Sequence, residues 1–258
     1  MTFAPAPDAD LSFLDPGDGR RIALRHRVAG VGQPTILFLP GYASDMAGSK
    51  ALAIDAFCAE RRLGCLRLNY SGTGSSAGNF ADGTLARWLD DVLAAIDQYV
   101  PAARLIVAGS SMGGWLGLLA ALRRPDRIAG LLGIAAAPDF TAWGFSSAEK
   151  AALERDGKLE RLNRYGPEPS ITHAGFWQSG ETLRLLDAPI ELTIPVRLVH
   201  GDADDDVPVA IALRLMAQLR SADVQLRLIK HGGHRLSEPH EIDAILAELQ
   251  GLIELIDR

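Results

Sequence analysis

The sequence predicts one α/β domain of 258 residues, built on a mostly parallel twisted sheet of about eight strands with helices on both faces. Short apolar runs rich in leucine or β-branched residues alternate with longer segments of helical periodicity, a pattern typical of a parallel sheet. A length of 258 residues is ordinary for a single domain of this class. With 48% hydrophobic and 22% charged residues, the chain can bury a sizeable core, which excludes disordered and fibrous classes.

The first half of the chain opens with strands that end at turns. Ile22 to Val28 is the first predicted strand, and Thr35 to Leu39 stops at the turn residues Pro40-Gly41. Cys65 to Tyr70 also ends at a glycine-rich turn. Thr84 to Tyr99 carries apolar residues at the i, i+3, i+4 and i+7 positions, which predicts an amphipathic helix.

A strand, a sharp turn and a helix follow in the middle of the chain. Leu105 to Ala108 reads as a strand, and after Gly109 the pattern changes at once to the leucine- and alanine-rich run Met112 to Arg124, closed by a proline. Ile128 to Ile134 is the next predicted strand.

Residues 140–192, from Phe140 to Leu192, lose the alternation and are predicted to be an inserted helical cap within the single domain 1–258. The sheet resumes with the strands Val196 to His200 and Val224 to Ile229, and Glu238 to Ile256 is the terminal helix. Such insertions lie over the carboxyl ends of the strands, where ligands bind. The candidate substrate-binding residues are therefore the aromatic residues of the cap: Trp143, Phe145, Phe176 and Trp177.

Charge and cysteine content exclude several partners. There are 26 basic and 32 acidic residues, for a formal net charge of −6, so no basic field exists to hold nucleic acid or an anionic membrane. No segment is long and apolar enough to span a bilayer. Cys58 and Cys65 are too few for a disulfide framework, and residues 1–8 carry no basic or apolar targeting pattern. These features predict a cytoplasmic protein.

The segment Gly109-Ser110-Ser111-Met112-Gly113 is a G-x-S-x-G sequence between a predicted strand and a predicted helix. In this context the central serine sits on a strained turn that lifts its hydroxyl clear of the backbone. Ser111 is therefore the predicted nucleophile, which requires a base to take its proton and a carboxylate to orient that base.

The carboxylate is expected in the loop after the strand ending at His200, which holds several acidic residues. Asp204 is the predicted orienter, because it lies at the tip of this loop. Asp206 precedes Val207-Pro208 and is expected to cap the following helix. The alternatives, expected to be turn or solvated residues, are Asp202 and Asp205.

The base is expected in the loop after the next strand, which contains His231-Gly232-Gly233-His234. His234 is the predicted base, because a glycine pair precedes it and a helix follows, which leaves it in an exposed loop. His231, in the same loop, is the alternative candidate for the base. His200 ends a buried strand and is expected to pack there.

Negative charge on the substrate oxygen must meet backbone N–H donors in the transition state. One donor follows the nucleophile and is the amide of Met112. The second is expected from the turn after the strand ending at Leu39, where the amide of Tyr42 is the candidate. These residues together need no cofactor and no metal.

The same motifs resemble the α/β-hydrolase superfamily and, more narrowly, the branch of mitochondrial palmitoyl-protein thioesterases and acyl-glucuronide esterases. The resemblance covers most of residues 20–250 and implies a serine hydrolase that cleaves carboxylic esters or thioesters, including those of S-acylated proteins. It places the triad at Ser111, Asp204 and His234. A non-catalytic binding protein and a small-molecule carboxylesterase are the alternatives. The segments that carry the resemblance are Leu39-Pro40-Gly41-Tyr42, Asn69-Tyr70-Ser71-Gly72, Gly109 to Leu116 and His231 to Arg235.

Overall fold

The computed structural model describes residues 9–101, 104–163 and 166–256. Residues 1–8, in which no targeting pattern was found, lie outside this range. The strands are β1 Leu11–Leu14, β2 Ile22–Arg27, β3 Thr35–Leu39, β4 Gly64–Leu68, β5 Leu105–Ser110, β6 Ile128–Ile134, β7 Lys158–Arg161, β8 Ser170–His173, β9 Val196–Gly201 and β10 Val224–Ile229. The helices are α1 Ser49–Arg61, α2 Leu85–Tyr99, α3 Met112–Arg123, α4 Phe140–Trp143, α5 Ser147–Asp156, α6 Ala174–Thr182, α7 Val209–Gln218 and α8 Pro239–Ile256.

Eight of these strands form one sheet in the order β1-β2-β4-β3-β5-β6-β9-β10. The strands from β4 to β10 in this order run parallel, while β2 pairs with β4, and β1 with β2, in antiparallel fashion. The predicted sheet of about eight mostly parallel strands is confirmed. The sequence pattern missed β1, a short strand at the edge of the sheet.

Side chains alternate between two hydrophobic layers, one on each face of the sheet. In β3, Leu37 and Leu39 join the layer that holds α2, α3 and α7, whereas Ile36 and Phe38 join the layer that holds α1 and α8. This alternation follows from the two-residue period of a strand. Both faces are covered by helices, as predicted, which explains why β3 is buried at every position.

The segment predicted as a cap lies between β6 and β9 and contains α4, α5, β7, β8 and α6. It is not wholly helical, because β7 and β8 pair as a separate antiparallel sheet. At its base the buried carboxylate of Asp139 accepts hydrogen bonds from the amides of Leu185, at 2.8 and 3.0 Å, and Leu186, at 2.7 Å. These bonds tie the start of the segment to its end.

Because β3, β5, β9 and β10 run parallel, their carboxyl ends meet at one edge of the sheet. The loops after these strands carry Tyr42, Ser111, Asp204 and His234. This is the edge at which ligands bind in open parallel sheets. Within the described part of the chain, no helix has the length and apolar character needed to cross a bilayer.

Candidate active site

Ser111 lies between β5 and α3 with φ 54° and ψ −118°, a conformation that non-glycine residues rarely adopt. The turn is so tight that a Cβ at Gly109 would lie 2.2 Å from the carbonyl oxygen of Gly113. A Cβ at Gly113 would lie 2.0 Å from the carbonyl oxygen of Leu39. The G-x-S-x-G spacing is therefore a steric requirement of this turn, and the strain holds the serine clear of its neighbours.

The structure brings Ser111, His234 and Asp204 into one hydrogen-bonded row. Nε2 of His234 lies 3.1 Å from Oγ of Ser111, and Nδ1 of His234 lies 2.9 Å from Oδ2 of Asp204. The side chain of Asp204 is fully buried and that of His234 is 16% exposed. This geometry permits the histidine to take the serine proton while the carboxylate holds the opposite ring nitrogen.

The carboxylate of Asp204 is held by its own loop as well as by the histidine. Its Oδ1 accepts hydrogen bonds from the amides of Asp206, at 2.9 Å, and Val207, at 2.8 Å. Burial opposes its ionisation, but the hydrogen bonds from His234 and from these two amides outweigh burial and hold the pKa of Asp204 below its ordinary value of 3.8. The group is therefore an anion at neutral pH, as an orienter must be.

Two of the alternative residues have contacts of a different kind. The carboxylate of Asp202 accepts a 2.5 Å hydrogen bond from the amide of His231, which has a left-handed φ of 61°. This pair fixes the turn that leads into His234. The packing expected for His200 is seen, since its Nε2 lies 2.8 Å from the carbonyl oxygen of Val207 and 3.4 Å from Oδ2 of Asp204.

The capping role expected of Asp206 is not observed. Helix α7 begins at Val209, so its N-cap position is Pro208, which makes no side-chain cap hydrogen bond, and Asp206 lies two residues before that position. The amides of Asp206 and Val207, which precede the helix, donate instead to the carboxylate of Asp204. Among the four aspartates of this loop, only Asp204 is buried.

The candidate oxyanion donors flank Ser111. The amide of Met112 opens α3, where no intrahelical acceptor exists for it. On the other side, a Cβ at Gly41 would lie 3.4 Å from Cβ of Ser111, which brings the peptide of Tyr42 to the reaction centre. Among the hydrogen bonds of the described residues, none uses either amide as donor.

The four aromatic residues predicted to line the substrate pocket are not equivalent. Phe176 is 1% exposed and packs inside the main core. Phe145 and Trp177 are buried in a small cluster with Leu153, whereas Trp143 is only partly buried and packs against the main core. The structure thus leaves Trp143 accessible and encloses the other three.

Two further partly buried rings, Tyr42 and Phe140, pack against the main core and were not named as pocket walls from the sequence. Their centroids are 6.1 Å apart, and Phe176 packs against both, at 4.6 Å and 5.5 Å. The hydroxyl of Tyr42 donates a 2.9 Å hydrogen bond to the carbonyl of Ile171 in β8. A signal for Phe140 was available, because it comes directly after the turn that follows β6.

Comparison with known proteins defines the family of this chain. The family model described as the prolyl oligopeptidase family matches residues 85–253, a range that contains Ser111, Asp204 and His234. The chain belongs to this family. Palmitoyl-protein thioesterase ABHD10, mitochondrial, is 38% identical in Pongo abelii and 37% identical in Homo sapiens, over 95% of this chain and 80% of each relative.

A solved structure of a related protein has the same fold as this chain. Alpha/beta hydrolase domain-containing protein 10 from mouse superposes with a TM-score of 0.88 at 35% identity, covering 96% of this chain and all of that one. The predicted α/β-hydrolase fold and the resemblance to the thioesterase branch are confirmed. This family member is accordingly a serine hydrolase that acts on ester or thioester bonds.

The cytoplasmic location expected from the sequence is wrong by the same comparison, because these relatives are named as mitochondrial proteins. The expectation rested partly on cysteine content. Cys58 and Cys65 are both free and buried. Any compartment that keeps thiols reduced permits this state, so cysteine usage could not separate one such compartment from another.

Proposed function

We propose that this protein hydrolyses long-chain acyl thioesters, including S-acylated cysteines of proteins, through an acyl intermediate on Ser111. The row of hydrogen bonds from Ser111 through His234 to Asp204 is the observation that carries this proposal. A serine hydroxyl becomes a nucleophile only when a base within hydrogen-bond reach takes its proton. His234 is within that reach, at 3.1 Å.

In the proposed acylation step, Oγ of Ser111 attacks the acyl carbonyl carbon as its proton passes to Nε2 of His234. The amides of Tyr42 and Met112 receive the oxyanion. The bond to sulfur then breaks, and the departing thiolate takes the proton from His234. Water next attacks the acyl serine by the same route, releasing the carboxylic acid and restoring Ser111, while Asp204 stabilises the imidazolium formed in both steps.

The acyl chain is the part of the substrate that the cap segment is proposed to recognise. Rings that are already buried cannot offer surface to a ligand without unpacking, which disfavours Phe145, Phe176 and Trp177 as walls. The partly buried rings of Tyr42, Phe140 and Trp143 retain free surface. Long apolar chains are a natural ligand for such rings, and the named relatives are palmitoyl-protein thioesterases.

Matched series of acyl thioesters and oxyesters, from two to sixteen acyl carbons, test the proposal. Each buried methylene contributes about 0.8 kcal/mol, so kcat/KM should rise about fourfold per methylene until the pocket is full. A peptide palmitoylated on cysteine should be turned over faster than its palmitoyl-serine counterpart, and the Ser111→Ala protein should turn over neither. A preference for short oxyesters, with the thioesters ignored, would instead identify a small-molecule carboxylesterase.

A further inference from the structure

Tyr70 contacts the turn at residues 40–42, which carries the proposed oxyanion donor Tyr42, and takes no part in the proposed acyl-transfer steps. Tyr70 follows β4, the sheet neighbour of β3, and its side chain is completely buried. Its hydroxyl donates a 2.9 Å hydrogen bond to the carbonyl oxygen of Pro40. Pro40 directly follows β3 and stands two residues before Tyr42, whose amide is the candidate oxyanion donor.

The carbonyl of Pro40 lies just beyond the end of the sheet ladder. The last pair between β3 and β5 joins Leu39 to Gly109, and none of the described strands pairs with the next peptide. Pro40 is nevertheless buried. A buried carbonyl without a partner costs roughly 1 to 3 kcal/mol, which the hydroxyl of Tyr70 removes.

The peptides after Pro40 are set by contacts on both sides. The carbonyl of Gly41 accepts a 3.2 Å hydrogen bond from the amide of Ser44, which closes a turn. Helix α3 packs against the same peptides, because Gly113 lies too close to the carbonyls of Leu39 and Pro40 to admit a Cβ. The bond from Tyr70 therefore defines the rotation of the peptide plane that leads into Gly41 and Tyr42.

Tyr70 is itself held rigidly. Its ring stacks on Trp88, with centroids 5.6 Å apart and planes 26° apart. The indole N–H of Trp88 donates a 3.0 Å hydrogen bond to the carbonyl of Ser71. The amide and hydroxyl of Ser71 both donate to the buried carboxylate of Asp91, at 2.7 and 2.6 Å, and Arg20 pairs with that carboxylate.

This environment also keeps the phenol in its donor form. Burial, and then the charge of Asp91, hold the pKa of Tyr70 well above its ordinary value of 10. The hydroxyl therefore stays protonated at neutral pH, where it can donate to the carbonyl of Pro40.

We propose that Tyr70 is a positioning residue, which aims the amide of Tyr42 at the oxyanion by holding the carbonyl of Pro40. The inference rests on the proposed function, in which Ser111 is acylated and the Tyr42 amide binds the developing charge. A donor of this kind acts only in the transition state, so its misplacement lowers kcat and leaves substrate binding unchanged.

Tyr70→Phe tests this directly, because it keeps the ring and removes only the hydroxyl. Loss of a whole oxyanion donor costs about 10² to 10³ in kcat, so a misaimed one should cost about tenfold or more. We expect that loss with KM within twofold of wild type and with the shape of the pH profile unchanged. The affinity for a trifluoromethyl ketone, whose adduct carries an oxyanion, should fall by a similar factor.

Two matched controls separate positioning from destabilisation. Thr73→Val removes a buried hydroxyl that donates its hydrogen bond, at 2.8 Å, to the backbone carbonyl of Tyr70 and not to that of Pro40. Tyr99→Phe removes a hydroxyl that donates a hydrogen bond to the carbonyl of Phe13 in β1, the edge strand of the sheet. Both should keep kcat within about twofold, whatever they cost in thermal stability. Tyr70→4-aminophenylalanine retains an N–H donor and should restore most of kcat.

The outcomes distinguish this inference from the proposed function. If Ser111→Ala remains active, the proposed function fails, whatever Tyr70→Phe does. If Ser111→Ala is inactive but Tyr70→Phe matches Thr73→Val in kcat and in ketone affinity, the positioning role of Tyr70 is refuted. A loss in Tyr70→Phe that appears in KM alone refutes it equally.

Discussion

Asp204 contacts His234 through one carboxylate oxygen and its own loop through the other. Oδ2 lies 2.9 Å from Nδ1 of His234, while Oδ1 accepts the amides of Asp206 and Val207. The carboxylate therefore cannot rotate without giving up its backbone bonds. The histidine ring is oriented by a group that the loop itself holds in place.

Ser111→Ala should abolish both ester hydrolysis and covalent labelling by a fluorophosphonate, while leaving the thermal unfolding midpoint close to that of wild type. The physical reason is that the hydroxyl is the only group lost, and it contributes its proton and its nucleophilic oxygen. Labelling is read by mass spectrometry of the intact protein and of its peptides. Ser110→Ala is the matched control and should still label, so stoichiometric modification at Ser110 would contradict the assignment.

Asp204→Asn should lower kcat on the order of 10³-fold or more, because an amide cannot enforce the histidine tautomer or stabilise the imidazolium. Asp205→Asn is the control from the same loop, and Asp202→Asn is the comparison variant, because Asp202 accepts the amide of His231 in the turn before His234. Steady-state kinetics of the three variants on one short ester give the comparison. Asp205→Asn should stay within a few-fold of wild type, and a large loss there would mean that a different carboxylate orients His234.

The pKa of Asp204 also predicts how acid affects stability. Because its folded pKa is lowered below 3.8, its contribution to the free energy of unfolding is fully present above the unfolded value and is lost as pH falls through the folded pKa. Denaturant unfolding of wild type and Asp204→Asn at pH 7 and near pH 3 measures this. The difference in free energy of unfolding between the two proteins should be smaller at the lower pH. A larger difference near pH 3 would contradict a lowered pKa for Asp204 in the folded protein.

The aromatic rings of the cap segment should separate into two kinds when truncated. Phe140→Ala should move the preferred acyl chain length while a two-carbon ester is still hydrolysed, because a partly buried ring offers surface to the chain. Trp177→Ala should instead lower the free energy of unfolding by about 3 to 5 kcal/mol and leave the preference unchanged, because that ring is buried. Chain-length profiles and denaturant curves of both variants decide between these roles.

Much of the architecture was predictable because it depends on local sequence. The unbroken apolar runs of β3 and β5 are what strands buried on both faces require. The turn at Ser111 could be recognised because only glycine fits at 109 and 113. In contrast, β7 and β8 each contain a single apolar residue, Leu159 and Ile171, so no apolar alternation marks them in the sequence and neither strand was predicted.

By itself, the sequence determined the fold class, the serine of the G-x-S-x-G turn and the loops from which its partners must come, because the alternation of strands with helices and the glycine spacing are local features of the chain. Only the tertiary structure decided which aspartate is buried against His234, since all four aspartates share one loop and differ only in which way they face. It also decided which rings keep free surface, and that Tyr70 reaches Pro40 from thirty residues away. Such contacts depend on how distant strands pair and helices pack, and no local pattern encodes them.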